Sequence, residues 1–196
     1  MKKPLAVAVS RLRSDALSSN RTPNYFELFG LPESFEVDLE DLQKRWKSRA
    51  AQVHPDRYVS GSAAEKRVAM QWSAEINEGY RVLKDPVSRA RYLCEINGHP
   101  PSERTGSQLD AAFLEQQMQW RESLEEIRDV VSSTGQGNAL LDALSVEVEQ
   151  SRVQCVEQVA RMLQAQCWPQ ADAALQQWMF VDKFIQEIAR ARSAIS

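Results

Sequence analysis

The sequence is poor in glycine, which occurs only seven times, and runs of β-branched residues are nearly absent. Alanine, leucine, glutamine, glutamate and arginine dominate instead, and these residues favour helices. No apolar run approaches the roughly 20 residues that a membrane-spanning helix needs. Hydrophobic residues still make up 43% of the chain, enough to bury a core. The composition therefore predicts an all-α protein with no membrane-spanning segment.

Cysteine and histidine are also scarce, which argues against a disulfide framework and a metal site. Cys94, Cys155 and Cys167 are odd in number and widely spaced, and no CxxC pair occurs. The prediction is structural thiols in a reducing compartment, with no metal and no cofactor. A helical metal-binding or redox protein using His54, His99 and the cysteines is a further hypothesis, but the sequence offers no ligand cluster for it.

Charge is unevenly distributed along the chain. Residues 1–24 carry five basic residues and one acid, whereas residues 98–196 carry 8 basic and 14 acidic residues. Because phosphate binding needs clustered lysine and arginine, the acidic second half argues against a nucleic-acid partner. The basic segment 1–24 is interpreted as a disordered tail of a bacterial cytoplasmic protein. The alternative is a mitochondrial presequence, which would place the protein in the matrix.

A linker is predicted at residues 98–106, where Gly98 is followed by a polar stretch with two prolines. It separates a domain at 25–97 from a second domain at 107–196. In the first domain, NYFELFGLP predicts a short helix that Gly30 ends. Asp38, Ser62 and Asp85 are predicted to cap three further helices. Apolar residues at helical spacing indicate the buried faces of the two long ones, namely Leu39, Leu42, Trp46, Ala50, Val53, Ala69, Trp72, Ile76, Tyr80 and Leu83.

The two long helices are predicted to form an antiparallel hairpin with His54-Pro55-Asp56 at its tip. Pro55 disfavours helix at His54 and stiffens the loop, which leaves Asp56 as an exposed acid. Its carboxylate can accept a forked bond from an arginine of a partner. A convex tip without a second histidine or a nucleophile is unsuited to catalysis, so no enzyme activity is predicted. Three cations are predicted on the outer face of the helix before the tip: Lys44, Arg45 and Lys47.

The second domain is predicted to be a three-helix bundle. Leu114 and Met118 fall outside the apolar stripe of its first helix, on an acidic face, so they are either a partner patch or half-buried edges of the core. Periodicity alone leaves both interpretations open. On the third helix, Phe180 points away from a stripe that ends at Ala189, and Phe180 with Phe184 is predicted to be an exposed aromatic pair.

NYFELFGL, the basic helix, HPD and AEINEGYRVLKDPVSRARYL together resemble a J-domain, the module that stimulates DnaK-type chaperone ATPases. YFELFGLP, HPDRYVSGSAAEK and RARYLCEING are similar to one branch in particular, the HscB-type co-chaperones of iron–sulfur cluster assembly. Ordinary J-proteins continue with a Gly/Phe-rich segment and CxxCxGxG repeats, and neither occurs here. The resemblance covers residues 25–97, and a helical C-terminal domain of about the length found in that family follows.

The resemblance implies two partners. An HscA-type chaperone would be bound, and its ATP hydrolysis accelerated, through His54, Pro55, Asp56, Lys44, Arg45, Lys47 and Arg57. An IscU-type scaffold would be bound through Leu114, Met118, Glu122, Glu126 and Phe180. Arg57 stands where many J-domains have lysine, Glu115 replaces a common apolar residue, and Gln119 replaces an acid, which leaves the scaffold footprint open. The alternative is a J-domain protein that delivers a different client. The absence of an N-terminal cysteine-rich metal site, which eukaryotic members often carry, favours a bacterial protein.

Overall fold

The computed structural model of the chain describes residues 23–100, 109–134 and 138–195. All regular secondary structure in these ranges is helical, which confirms the predicted fold class. Residue contacts divide the chain into two units, residues 1–96 and 97–196. The predicted tail up to residue 22 and the predicted linker from residue 101 lie outside the described residues, and the domain boundaries remain predictions. No helix in the described ranges is long and apolar enough to cross a membrane.

The described part of the first unit, residues 23–96, contains four α-helices and a 3-10 turn: α1 Tyr25–Phe29, α2 Leu39–Val53, the turn Pro55–Tyr58, α3 Ala63–Lys84 and α4 Pro86–Ile96. The predicted caps at Asp38 and Ser62 begin the two long helices, and Ser62 forms a full capping box with Glu65. Gly30 ends α1 in the left-handed conformation, with φ of 65°. Local sequence chemistry therefore sets the helix boundaries.

Helices α2 and α3 form the predicted antiparallel hairpin. Trp46 in the middle of α2 stacks on Tyr80 near the end of α3, with ring centroids 4.7 Å apart. The Trp46 Nε1 donates to Asn77 Oδ1 at 3.0 Å. The predicted stripes supply fully buried residues on both helices: Leu42, Val53, Ala69, Ile76 and Leu83. Leu39 was predicted to be buried, but it is 49% exposed because it is the first residue of α2, at the end of the helix.

Close packing of α1 on α3 depends on Gly79. A Cβ atom there would lie 2.9 Å from Tyr25 Cδ1 and 3.2 Å from Phe29 Cε2, so any side chain would push the helices apart. The start of α1 is also bound to α4, where the Tyr92 hydroxyl accepts the Tyr25 backbone N–H at 2.9 Å. Burial raises the pKa of Tyr92 to about 12.

Arg89 is a buried cation that closes the loop between α1 and α2. Its guanidinium donates to Phe35 O at 2.7 Å and to Leu83 O at 2.5 Å, and it lies 5.3 Å from the centroid of the Phe35 ring. Burial lowers its pKa, and the charge of Asp85 acts in the opposite direction. Arg89 therefore donates to backbone carbonyls of two separate segments.

Where the structure describes the second unit, it contains three long helices, α5 Ala111–Thr134, α6 Asn138–Gln164 and α7 Trp168–Ile195. The antiparallel α6–α7 hairpin is held near its middle by Arg152 Nε and Asp182 Oδ1 at 2.8 Å. Its turn contains Gln166 with φ of 56°, an uncommon conformation for a residue with a side chain.

Two predictions for α7 are wrong. Phe184 was predicted to be exposed beside Phe180, but it is buried at 2% exposure and stacks on Trp120 with centroids 5.7 Å apart. Ala189 was predicted to lie in the core and is exposed, whereas Ile188 and Ala191 are buried. Because α7 packs against both α5 and α6, its buried face is wider than a single apolar stripe.

Candidate functional site

The tip of the hairpin presents two polar side chains to solvent. His54 ends α2 in an extended conformation with ψ of 127°, as the following proline requires, and its side chain is 56% exposed. The Asp56 side chain is 84% exposed. The backbone N–H of Asp56 donates to His54 Nδ1 at 3.3 Å. In the neutral ring the proton therefore resides on Nε2, and the tip offers an imidazole N–H donor beside a carboxylate acceptor.

The cations predicted before the tip differ in their surroundings. Lys44 and Lys47 are exposed on α2. Arg45 is half-buried, because its Nε donates to Asp41 Oδ2 at 2.8 Å and its Nη1 donates to the carbonyls of Phe29 and Gly30 at 3.1 and 2.9 Å. Arg45 thus holds the end of α1 against α2.

Arg57 lies just after the tip and also contacts the backbone. Its Nη1 donates to the carbonyl of Ala51, in the last turn of α2, at 2.8 Å. The rest of the residue is exposed. The guanidinium is therefore placed over the end of a helix, where a positive charge is favourable.

A second exposed surface follows one ridge of α5. Leu114 is 45% exposed and Met118, one turn later, is 62% exposed. The same ridge continues through Glu122 and Glu126, which are exposed. The core is filled instead by neighbouring positions of the helix: Phe113, Trp120, Leu124 and Ile127. Leu114 and Met118 are therefore surface residues, although periodicity alone had left a half-buried core edge open.

Phe180 lies on α7 of the same unit as Leu114 and Met118. Helices α5 and α7 both pack against α6, and the Trp120–Phe184 stack fixes their register. Phe180 lies one turn before Phe184 on α7. Phe180 is half-buried, with Lys183 Nζ 5.5 Å from its ring centroid.

Two residues beside these candidate sites, Tyr58 and Lys183, were missed by the sequence reasoning. Lys183 follows Phe180 at a spacing of three on a helix, which is the signal that would have predicted their contact. Tyr58 follows the tip and is buried at 8% exposure, and an aromatic residue in a short polar loop is the only sequence signal for it. Among the described residues, no group of three or more histidine, cysteine, aspartate or glutamate side chains lies close enough to hold a metal ion.

A helical hairpin with an exposed His-Pro-Asp tip, flanked by a short first helix and a fourth helix, defines a J-domain protein. A family model described as the DnaJ domain matches residues 24–92. A second model, described as the HSCB C-terminal oligomerisation domain, matches residues 109–189. The chain belongs to the HscB family of co-chaperones.

Individual relatives agree with this assignment. The co-chaperone protein HscB homolog of Bordetella petrii is 46% identical over 172 residues, which cover 87% of this chain and 97% of the relative. The solved structure of chaperone HscB from Vibrio cholerae has a TM-score of 0.76 at 31% identity, covering 88% of this chain and 99% of that one. The crystal structure of human co-chaperone protein HscB has a TM-score of 0.75 at 25% identity, covering 90% and 85%.

Proposed function

We propose that the protein is a non-enzymatic co-chaperone of iron–sulfur cluster assembly. It stimulates the ATPase of an HscA-type, DnaK-like chaperone and delivers an IscU-type scaffold protein to it. The observation that carries the proposal is that a J-domain with an exposed His54–Asp56 tip and a second helical unit with exposed apolar residues occur in one chain of the HscB family. The bacterial cytoplasm is the proposed location.

The chaperone is bound by the tip. The Asp56 carboxylate accepts a forked bond from an arginine of the chaperone, and His54 Nε2 donates a hydrogen bond beside it. Pro55 limits the conformations of the tip, so little freedom is lost on docking. Lys44 and Lys47 attract an acidic surface, which mainly raises the association rate. Arg57 contributes to the same positive field.

The scaffold is bound by the α5 ridge. Leu114, Met118 and Phe180 supply apolar area, and Glu122 and Glu126 at the polar end of the ridge select a partner with basic residues beside its apolar patch. With both partners held by one chain, the scaffold reaches the chaperone at a raised effective concentration. Delivery therefore needs no chemistry from this protein.

The test is the steady-state ATPase rate of a purified HscA-type chaperone as this protein is added, with and without an IscU-type scaffold. The proposal expects stimulation that rises cooperatively when the scaffold is present. Stimulation that is indifferent to the scaffold would keep the J-domain role and point to another client. Absence of stimulation with both HscA-type and DnaK-type chaperones would refute the proposal.

A further inference from the structure

We infer that Arg57 and Tyr58 are positioning residues that hold the His54-Pro55-Asp56 tip in its docking conformation. The inference deepens the proposed function and rests on it. Helix α2 ends at a proline rather than at a glycine in the left-handed conformation, so its last carbonyls lack the usual backbone donors. Two side chains from the following turn supply donors instead.

The two contacts form a pair of ties around the tip. Arg57 Nη1 donates to Ala51 O at 2.8 Å, and the Tyr58 hydroxyl donates to Gln52 O at 2.9 Å. Each tie joins residues six apart, so each closes a loop that contains the whole His-Pro-Asp segment. The tip cannot turn away from α2 unless both hydrogen bonds break.

Tyr58 is the fixed end of this arrangement. It is 8% exposed and packs against Ala69 and Val68 of α3. Its carbonyl accepts the Gly61 N–H at 2.8 Å, which continues the ordered backbone into the loop before α3. The tyrosine therefore connects the end of α2, the tip and the start of α3 through one side chain.

Function follows from the conformational freedom that these ties remove. A partner that needs one tip geometry binds with an apparent affinity reduced by the fraction of molecules in that geometry. Losing one hydrogen bond that favours the competent geometry should lower this fraction by up to about fivefold. Tyr58→Phe removes only the tie, because the ring keeps its packing and the charge of the tip is unchanged.

The same reasoning separates two roles for Arg57. If Arg57 acts only as a charge that touches the chaperone, Arg57→Leu should weaken docking but leave amide hydrogen exchange at the tip of the free protein unchanged. If Arg57 acts as a tie to the Ala51 carbonyl, Arg57→Leu should weaken docking and also speed this exchange, as Tyr58→Phe does. Tyr80→Phe is the matched control, since Tyr80 stacks on Trp46 away from the tip.

The experiment titrates the full-length chain and these variants into an HscA-type chaperone ATPase assay. We expect Tyr58→Phe to raise the half-maximal concentration measurably, by up to about fivefold, with little change in the maximal rate, while Tyr80→Phe matches the wild type. A Tyr58→Phe titration that overlays the wild type, in a system where Asp56→Asn abolishes stimulation, would overturn the inference and leave the proposed function intact.

Amide hydrogen exchange of the protein alone provides a second readout that needs no chaperone. The Arg57 N–H donates to His54 O at 3.0 Å and the Gly61 N–H to Tyr58 O at 2.8 Å, so both report on the tip. Tyr58→Phe should speed their exchange severalfold relative to Tyr80→Phe. Unchanged exchange would refute the role of the two ties in holding the tip. If the wild type fails to stimulate any chaperone, the proposed function is refuted. The exchange experiment alone then decides whether the two ties hold the tip.

Discussion

Removing the two exposed apolar side chains of the α5 ridge should weaken scaffold binding by a predictable amount. Complete burial of a leucine or methionine side chain contributes ~1.5–3 kcal/mol. Leu114 is 45% exposed and Met118 is 62% exposed. A partner that covers both residues therefore gains about half of the full burial energy from each. The double variant Leu114→Ala/Met118→Ala should therefore lose about 1.5–3 kcal/mol, or about 10- to 150-fold in Kd.

The measurement is calorimetric titration of an IscU-type scaffold into the wild type and the variant. The matched control is Leu140→Ala/Val146→Ala on α6, where the side chains are 52% and 57% exposed and belong to no proposed site. Both variants should lose a similar, small amount of stability in urea, because both remove half-exposed residues. Scaffold affinity within about twofold of the wild type in the α5 variant would refute the proposed face, since that change is smaller than any of the expected losses.

Four further perturbations follow from the structure. His54→Gln or Asp56→Asn should abolish chaperone stimulation in the ATPase assay while changing the free energy of unfolding by less than about 0.5 kcal/mol; a variant that unfolds would contradict the docking interpretation. Gln166→Gly should raise the free energy of unfolding in urea by about 0.5–1 kcal/mol, because φ there is 56° and glycine adopts that conformation without steric strain; lower stability would contradict this. Arg89→Leu should lower the free energy of unfolding by about 2–4 kcal/mol, because two backbone carbonyls lose their donor, and an unchanged urea midpoint would exclude that role. The pKa of Tyr92 is about 12 in the folded state and 10.0 in the unfolded chain, so the free energy of unfolding should fall as pH rises from 10.0 toward 12. In urea titrations above and below pH 10.0, Tyr92→Phe should reduce this fall.

Much of the fold could be predicted because its signals are local. Asp38, Ser62 and Asp85 accept backbone N–H bonds at the starts of the helices they were predicted to begin. Gly30 ends α1 as predicted. Each of these positions depends on residues within a turn of itself, so no knowledge of the tertiary structure is needed to recognise it.

The errors all concern positions whose burial depends on a neighbouring helix. Phe184 lies outside the main stripe of α7, but α5 covers that side of the helix and Trp120 stacks on the ring. Leu39 falls on the apolar side of α2, yet it lies at the end of the helix and stays exposed. Periodicity describes one helix at a time, whereas the width and length of a buried face are set by what packs on it.

The site residues show the same division between local and tertiary information. A helical wheel places Lys44, Arg45 and Lys47 on one basic surface because it shows their angular positions but not their contacts. The structure distinguishes them, since Arg45 contacts the end of α1 and both lysines are exposed. Under the proposed function, the two lysines and Arg57 attract the chaperone, whereas loss of Arg45 would also loosen the contact between α1 and α2.

The tip combines both kinds of information in a small number of residues. Pro55 determines locally where α2 stops, and this also removes the usual way of satisfying the last carbonyls of the helix. Arg57 and Tyr58 satisfy two of those carbonyls from beyond the proline, and Tyr58 can do so only because α3 packs behind its ring. An exposed acid on a stiff turn loses little freedom when it docks. The helix stop, the two ties and the packing on α3 thus have a common consequence, which is that Asp56 is held in one place where a partner can reach it.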